Sequence, residues 1–221
     1  MVNILFDCYN IDDFQEELSP YFSKDSRVAV IAFSFYDDTV YNAESWERVF
    51  GKGRGNCYYE TVNPLSAFGV REENIVFINY FTDTTASAIE KLKNANVIYF
   101  TGGLPDRMME RIAEFKLTDV LRSFDGVVFG YSAGAVIQLK EYHLYPDGDY
   151  KDFGYYEGLG YLDKLYLEVH YEYKPEQNES ISRALSERDL PIYVTHTFGG
   201  GVIVEQGTVR TVGKVDMYSN E

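Results

Sequence analysis

Ser132 sits in Gly130-Tyr131-Ser132-Ala133-Gly134, after the apolar run Val127–Phe129 and before the helix-forming Ala135-Val136-Ile137. A serine on a sharp strand-to-helix turn projects its hydroxyl from a strained backbone, and glycines two residues either side leave room for that turn. The N–H groups that open the following helix, led by that of Ala133, point to where a tetrahedral oxyanion would develop. A Gly-rich turn with a capping serine would give the same letters, but a strand before and a helix after is the context that a nucleophile demands. A second strand–glycine–helix junction lies upstream in Tyr99-Phe100-Thr101-Gly102-Gly103-Leu104-Pro105. Such turns gather at the carboxyl edge of a parallel sheet, so Gly102 or Gly103 is placed to lend a second N–H.

A serine hydroxyl needs a base, most often histidine. The chain has three: His143, His170 and His196. His170 lies in Leu165-Tyr166-Leu167-Glu168-Val169-His170-Tyr171-Glu172. As a strand, this segment puts Glu168, His170 and Glu172 on one face, with a carboxylate able to orient the imidazole. No pair of histidines has metal-ligand spacing, and Cys8 and Cys57 belong to no C-x-x-C pattern, so the expectation is no metal and two reduced thiols. An alternative scheme, of esterase type, would use His196 after Ser132 and an intervening aspartate, but no H-G-G motif precedes the serine.

The elements that must hold these residues read as short apolar strands alternating with helical segments. Strands are expected at Val2–Phe6, Arg27–Phe33, Ile75–Ile78, Val97–Phe100 and Val127–Phe129, with helices at Thr84–Asn94, Asp106–Leu121 and Glu176–Glu187. Continuous rather than alternating apolar runs are those of parallel strands covered on both faces, so the fold class is α/β, a three-layer sandwich with a mostly parallel central sheet. Residues 142–173 hold nine of the 20 tyrosines and read as an excursion over one end of the sheet, its rings packing the excursion or lining a cleft. Strands at Ile192–Thr195, Gly201–Val204 and Thr208–Thr211 close the chain, the last two around Gln206-Gly207. With no repeat or linker, residues 1–221 are expected to form one domain.

The blocks Tyr99–Gly103, Gly130–Ala135, Glu157–Tyr161 and Val169–Tyr171 resemble those of the peptidase E (aspartyl dipeptidase) and cyanophycinase family of serine peptidases, whose fold is similar to class I glutamine amidotransferases. The resemblance implies Ser132 as nucleophile, His170 as base and an oxyanion hole from the backbone of Gly103 and Ala133, acting on a small peptide or amide without a cofactor. The acid that often supports the histidine in that family falls at Phe198 here, so Glu172, or Glu168, is expected to substitute. The arginines that follow the histidine in aspartyl-specific members are missing from Glu172–Glu179, where Lys174 stands alone, so strict aspartyl specificity is not expected. A catalytically degenerate member with a binding or regulatory role is the alternative reading.

The chain's 35 acidic against 20 basic residues give a net charge of −15. That charge repels phosphate backbones and anionic bilayers, so neither nucleic acid nor membrane is an expected partner. The aromatic content of 16% argues against disorder. Without a basic, apolar leader at Met1–Asp7, the expected location is the cytoplasm, as a monomer or homodimer.

Overall fold

The computed structural model describes residues 1–220. Ten strands are β1 (Val2–Phe6), β2 (Val28–Ile31), β3 (Ile75–Ile78), β4 (Val97–Phe100), β5 (Val127–Tyr131), β6 (Glu141–Leu144), β7 (Gly154–Glu157), β8 (Tyr166–Tyr171), β9 (Ile192–Glu205) and β10 (Thr208–Tyr218). The helices are α1 (Gln15–Leu18), α2 (Ala43–Phe50), α3 (Asn56–Ala67), α4 (Thr85–Asn94), α5 (Pro105–Glu114), α6 (Thr118–Arg122), α7 (Ala133–Val136) and α8 (Pro175–Arg188). Among the described residues, no helix is long and apolar enough to cross a membrane.

Strands β3, β2, β4, β5 and β1 run parallel, in that spatial order, and β9 and β10 continue the sheet antiparallel beyond β1. The first half of β9 also pairs parallel with β8. Because strand side chains alternate, the apolar runs split into two cores. Ile4, Phe6, Val28, Val30, Tyr99 and Phe129 face α1 and α3, whereas Leu5, Ala29, Ile31, Ile98, Phe100 and Val128 face α4, α5 and α7. The fold is therefore the three-layer α/β sandwich expected from the sequence.

Three boundaries differ from the sequence reading. The expected helix over 106–121 is broken into α5 and α6 at Lys116, which takes a left-handed φ of 55°. The Tyr-rich excursion contains a separate two-stranded sheet, β6 with β7, and β8, which joins the main sheet. The last three expected strands are a two-stranded ribbon, because Gly199-Gly200-Gly201 continues β9 rather than turning it. A side chain at Gly201 would put its Cβ 2.2 Å from the carbonyl oxygen of Leu5, so the glycine serves close approach to β1. The turn at Gln206-Gly207 is as expected, with both residues at positive φ.

Candidate active site

The register of β1 against β5 aligns Phe6 with Tyr131, so the next residues on each strand, Asp7 and Ser132, leave the carboxyl edge of the sheet side by side. The Ser132 N–H donates to the carbonyl of Phe6 at 3.0 Å, which fixes the turn to its neighbour strand. Ser132 itself adopts φ 51° and ψ −118°, a backbone strain expected of a serine held at a nucleophile elbow. The flanking glycines are sterically required. A Cβ at Gly130 would stand 1.9 Å from the Gly134 carbonyl oxygen, and one at Gly134 would stand 2.3 Å from that of Phe100.

His170 reaches Ser132 from β8, its Nε2 2.8 Å from Ser132 Oγ. Its Nδ1 lies 3.1 Å from Oδ1 of Asp7. Asp7 is fully buried and accepts from five groups. These are the ring and backbone N–H of His170, the Thr195 hydroxyl (3.3 Å), the Cys8 thiol (3.1 Å) and the backbone N–H of Phe198 (2.9 Å). Burial alone would raise its pKa. The hydrogen bond and charge of His170 outweigh that, with help from Cys8 and the His170 backbone N–H, and hold the carboxyl below its usual value. Asp7 therefore stays ionised behind the imidazole.

Glu172, the carboxylate expected there, does not occupy that position. Its Oε2 pairs with Lys174 Nζ at 2.8 Å and its side chain is half exposed. The reason is backbone: His170 takes φ 55° and Tyr173 φ 62°, and the β8 register slips between Glu168 and Tyr171. The two-residue alternation that would align Glu172 with His170 is lost. Gln177 on α8 holds this irregular segment, donating from Nε2 to the His170 carbonyl at 2.8 Å and accepting the Glu172 N–H at 2.9 Å. Glu168 is buried against His143, Oε2 to Nε2 2.9 Å. His196 pairs with Asp216 at 2.8 Å rather than with Ser132, which disfavours the esterase scheme. Phe198 contributes its backbone N–H to Asp7 while its ring is exposed.

Gly103 and Ala133 line the same cavity as Ser132 and His170. The first N–H groups of α7 have no acceptor inside the helix. Gly103 has φ 134°, and a Cβ there would meet the Ser34 carbonyl oxygen at 2.2 Å, so only glycine permits this turn. The cavity is about 340 Å³ and is walled also by Tyr36, Tyr145 and Tyr150. Two of those rings come from the Tyr-rich excursion. Others there, such as the stacked Tyr142 and Tyr156, pack the small sheet instead. Arg107 points to Glu110 at 2.8 Å.

Among the described residues, Asp7, Cys8 and His170 bring three ligand-type atoms within 4.8 Å of one another. They fit a metal poorly. Burial, with the adjacent Asp7, pushes the Cys8 thiol up to about 12, and a metal would need the thiolate. Both cysteines are free.

Asp7 is the residue that sequence reasoning missed. Its signal was present: an acidic residue directly after a mostly apolar strand, at the sheet edge where ligands gather.

Comparison with known proteins bears on the family and the fold. Residues 56–210 match the sequence model of peptidase family S51. No curated protein matches the chain. Among solved structures, a Listeria monocytogenes EGD-e protein described provisionally as peptidase E is similar at TM-score 0.67 and 15% identity, covering 96% of this chain and 98% of its own. A peptidase from an acI-B1 Actinobacterium is similar at TM-score 0.59 and 14% identity, covering 99% of this chain and 93% of its own. At these identities the likeness speaks to fold.

Proposed function

This chain belongs to peptidase family S51, and on that premise we propose that it is a serine hydrolase cleaving a short peptide or related amide through Ser132, His170 and Asp7. The observation that carries the reading is the continuous relay from Ser132 Oγ to His170 Nε2 and from His170 Nδ1 to Asp7. His170 Nε2 accepts the Ser132 proton as Oγ attacks the carbonyl carbon. Asp7 holds the Nδ1–H tautomer and stabilises the imidazolium. The N–H groups of Gly103 and Ala133 receive the oxyanion. Collapse breaks the C–N bond, and the leaving amine takes the proton from His170. Water, deprotonated by the same imidazole, then releases the acyl group and returns the hydrogen to Ser132.

The acid of the relay is thus supplied by β1 rather than by the segment after the histidine. The test is labelling with a fluorophosphonate. Wild type is expected to be modified at Ser132 and to hydrolyse members of a dipeptide library, and Ser132→Ala to do neither. Equal labelling and cleavage by the two proteins would reject the reading.

A further inference from the structure

The cavity around Ser132 and His170 is walled by carboxylates and by no cation. Asp147 and Asp149, in the connection between β6 and β7, form one wall, Glu168 on β8 forms another, and none of the lining residues is lysine or arginine. Asp147 Oδ1 is engaged by the N–H groups of Asp149 (2.7 Å) and Tyr150 (2.8 Å), and Asp149 Oδ2 accepts the Tyr36 hydroxyl at 2.7 Å. No hydrogen bond neutralises either charge, since every donor is itself neutral.

An independent observation comes from Glu168. It is 3% exposed, its Oε2 is paired with His143, and its Oε1 has no hydrogen-bond partner. Buried carboxylate oxygens are almost always satisfied, so an orphan in the wall of the proposed catalytic cavity marks an acceptor without its donor. The nearby basic side chains are committed elsewhere. Arg111 donates to the Phe33 and Phe35 carbonyls and to Asp37, and Lys174 pairs with Glu172, its charge reaching Asp147 only as a weaker contribution.

We infer that this cavity takes a substrate bearing a positively charged group, an ammonium or a guanidinium, next to the bond that Ser132 attacks. Asp147 and Asp149 supply the field at the rim, and Glu168 supplies the unfilled acceptor in the wall. An aspartyl group would meet the charges of Asp147 and Asp149 with no lysine or arginine in the lining, while burial pushes Glu168 toward its neutral form. The inference rests on the hydrolase reading for the position of the scissile bond, but its ligand chemistry can be read without turnover. The cation is either the free α-amino terminus of a peptide or a basic side chain, and the ligands below separate these.

Isothermal titration of full-length Ser132→Ala would compare leucinamide, lysinamide, Nα-acetyl-lysinamide, Nα-acetyl-leucinamide and the α-amide of Nα-acetyl-aspartate. At least one of the three cationic ligands is expected to bind tenfold or more tightly than Nα-acetyl-leucinamide, with the aspartyl amide weakest. A preference carried by leucinamide identifies the terminal amine, and one carried by Nα-acetyl-lysinamide identifies the side chain. Adding Asp147→Asn with Asp149→Asn, both exposed, should shrink the advantage at least threefold, and 0.5 M salt should shrink it further. Equal binding of all five, or tightest binding of the aspartyl amide, overturns the inference. Failure of the wild-type serine to react with fluorophosphonate would instead refute the hydrolase reading while leaving a measured cation preference intact.

Discussion

Replacing Asp7 by asparagine removes one charge from the relay and tests its assignment directly. A carboxylate 3.1 Å from an imidazolium nitrogen interacts by about 5 kcal/mol at an effective dielectric of about 20. His170 is 42% exposed on its side chain, so water screens part of this, leaving about 3–4 kcal/mol. At about 1.36 kcal/mol per decade, that is a loss of two to three decades in kcat. The wrong tautomer adds to it, because an amide NH2 turned toward Nδ1 forces the proton onto Nε2, where the base must be free. The expected loss is therefore at least about 100-fold in kcat, and toward 10,000-fold if the tautomer is reversed. The assay is steady-state hydrolysis of whichever library substrate wild type cleaves, with circular dichroism and a melting curve to confirm that the variant is folded. Fluorophosphonate labelling should slow in parallel. A folded Asp7→Asn protein retaining more than a tenth of wild-type kcat would refute the relay.

Glu172→Gln is the matching control: with Glu172 paired to Lys174 at the surface, kcat/KM should stay within about threefold of wild type, and a loss comparable to that of Asp7→Asn would restore Glu172 as the supporting acid. Gly134→Ala forces a methyl against the Phe100 carbonyl, so it should cost about 1–3 kcal/mol and lower Tm by several degrees, read by calorimetry; an unchanged Tm would contradict the close packing of α7 on β4. Acid stability should depend on Asp83. Burial raises that carboxyl, but its bonds to Lys91, the Asn79 N–H and Ser87 lower it further, below its usual value of 3.8. The stabilisation is thus present above about that pH and disappears as pH falls through the lower folded value. Urea titrations should show a steeper loss of stability below pH 4 in wild type than in Asp83→Asn; parallel slopes would refute the assignment.

The parts of this site carried by local chain chemistry were legible. The elbow declares itself because strand, glycines and helix are contiguous around Ser132, and the apolar runs of β1 to β5 declare a covered parallel sheet. The acid was legible only as a polar residue at the end of a strand; its place beside His170 was not, because that depends on register between strands far apart in sequence. Asp7 lies 163 residues from His170, and only the pairing of Phe6 with Tyr131 brings it beside the serine. Glu172 looked correct because a regular strand alternates faces, and it fails because His170 and Tyr173 leave that geometry. Helices α2 and α3 carried no reading either: α2 is only eight residues, and α3 includes Pro64, a residue that breaks most helical patterns. The continuity of β9 through Gly199-Gly200-Gly201 was not legible between the two expected strands, since the approach of Leu5 that requires Gly201 is a tertiary fact.

The five donors gathered on Asp7 also order events during synthesis. The carboxylate leaves the ribosome before the serine, the serine before the imidazole, and the Thr195 and Phe198 groups that clamp the carboxylate follow all three. Because β1 lies between β5 and β9, the carboxylate is caged only after the closing ribbon has docked. A chain ending before β9 would hold Ser132 and His170 but lack both the Thr195 hydroxyl and the Phe198 N–H that close around Asp7. The cage around the Asp7 carboxylate is therefore a property of the finished sheet, with donors from both β8 and β9.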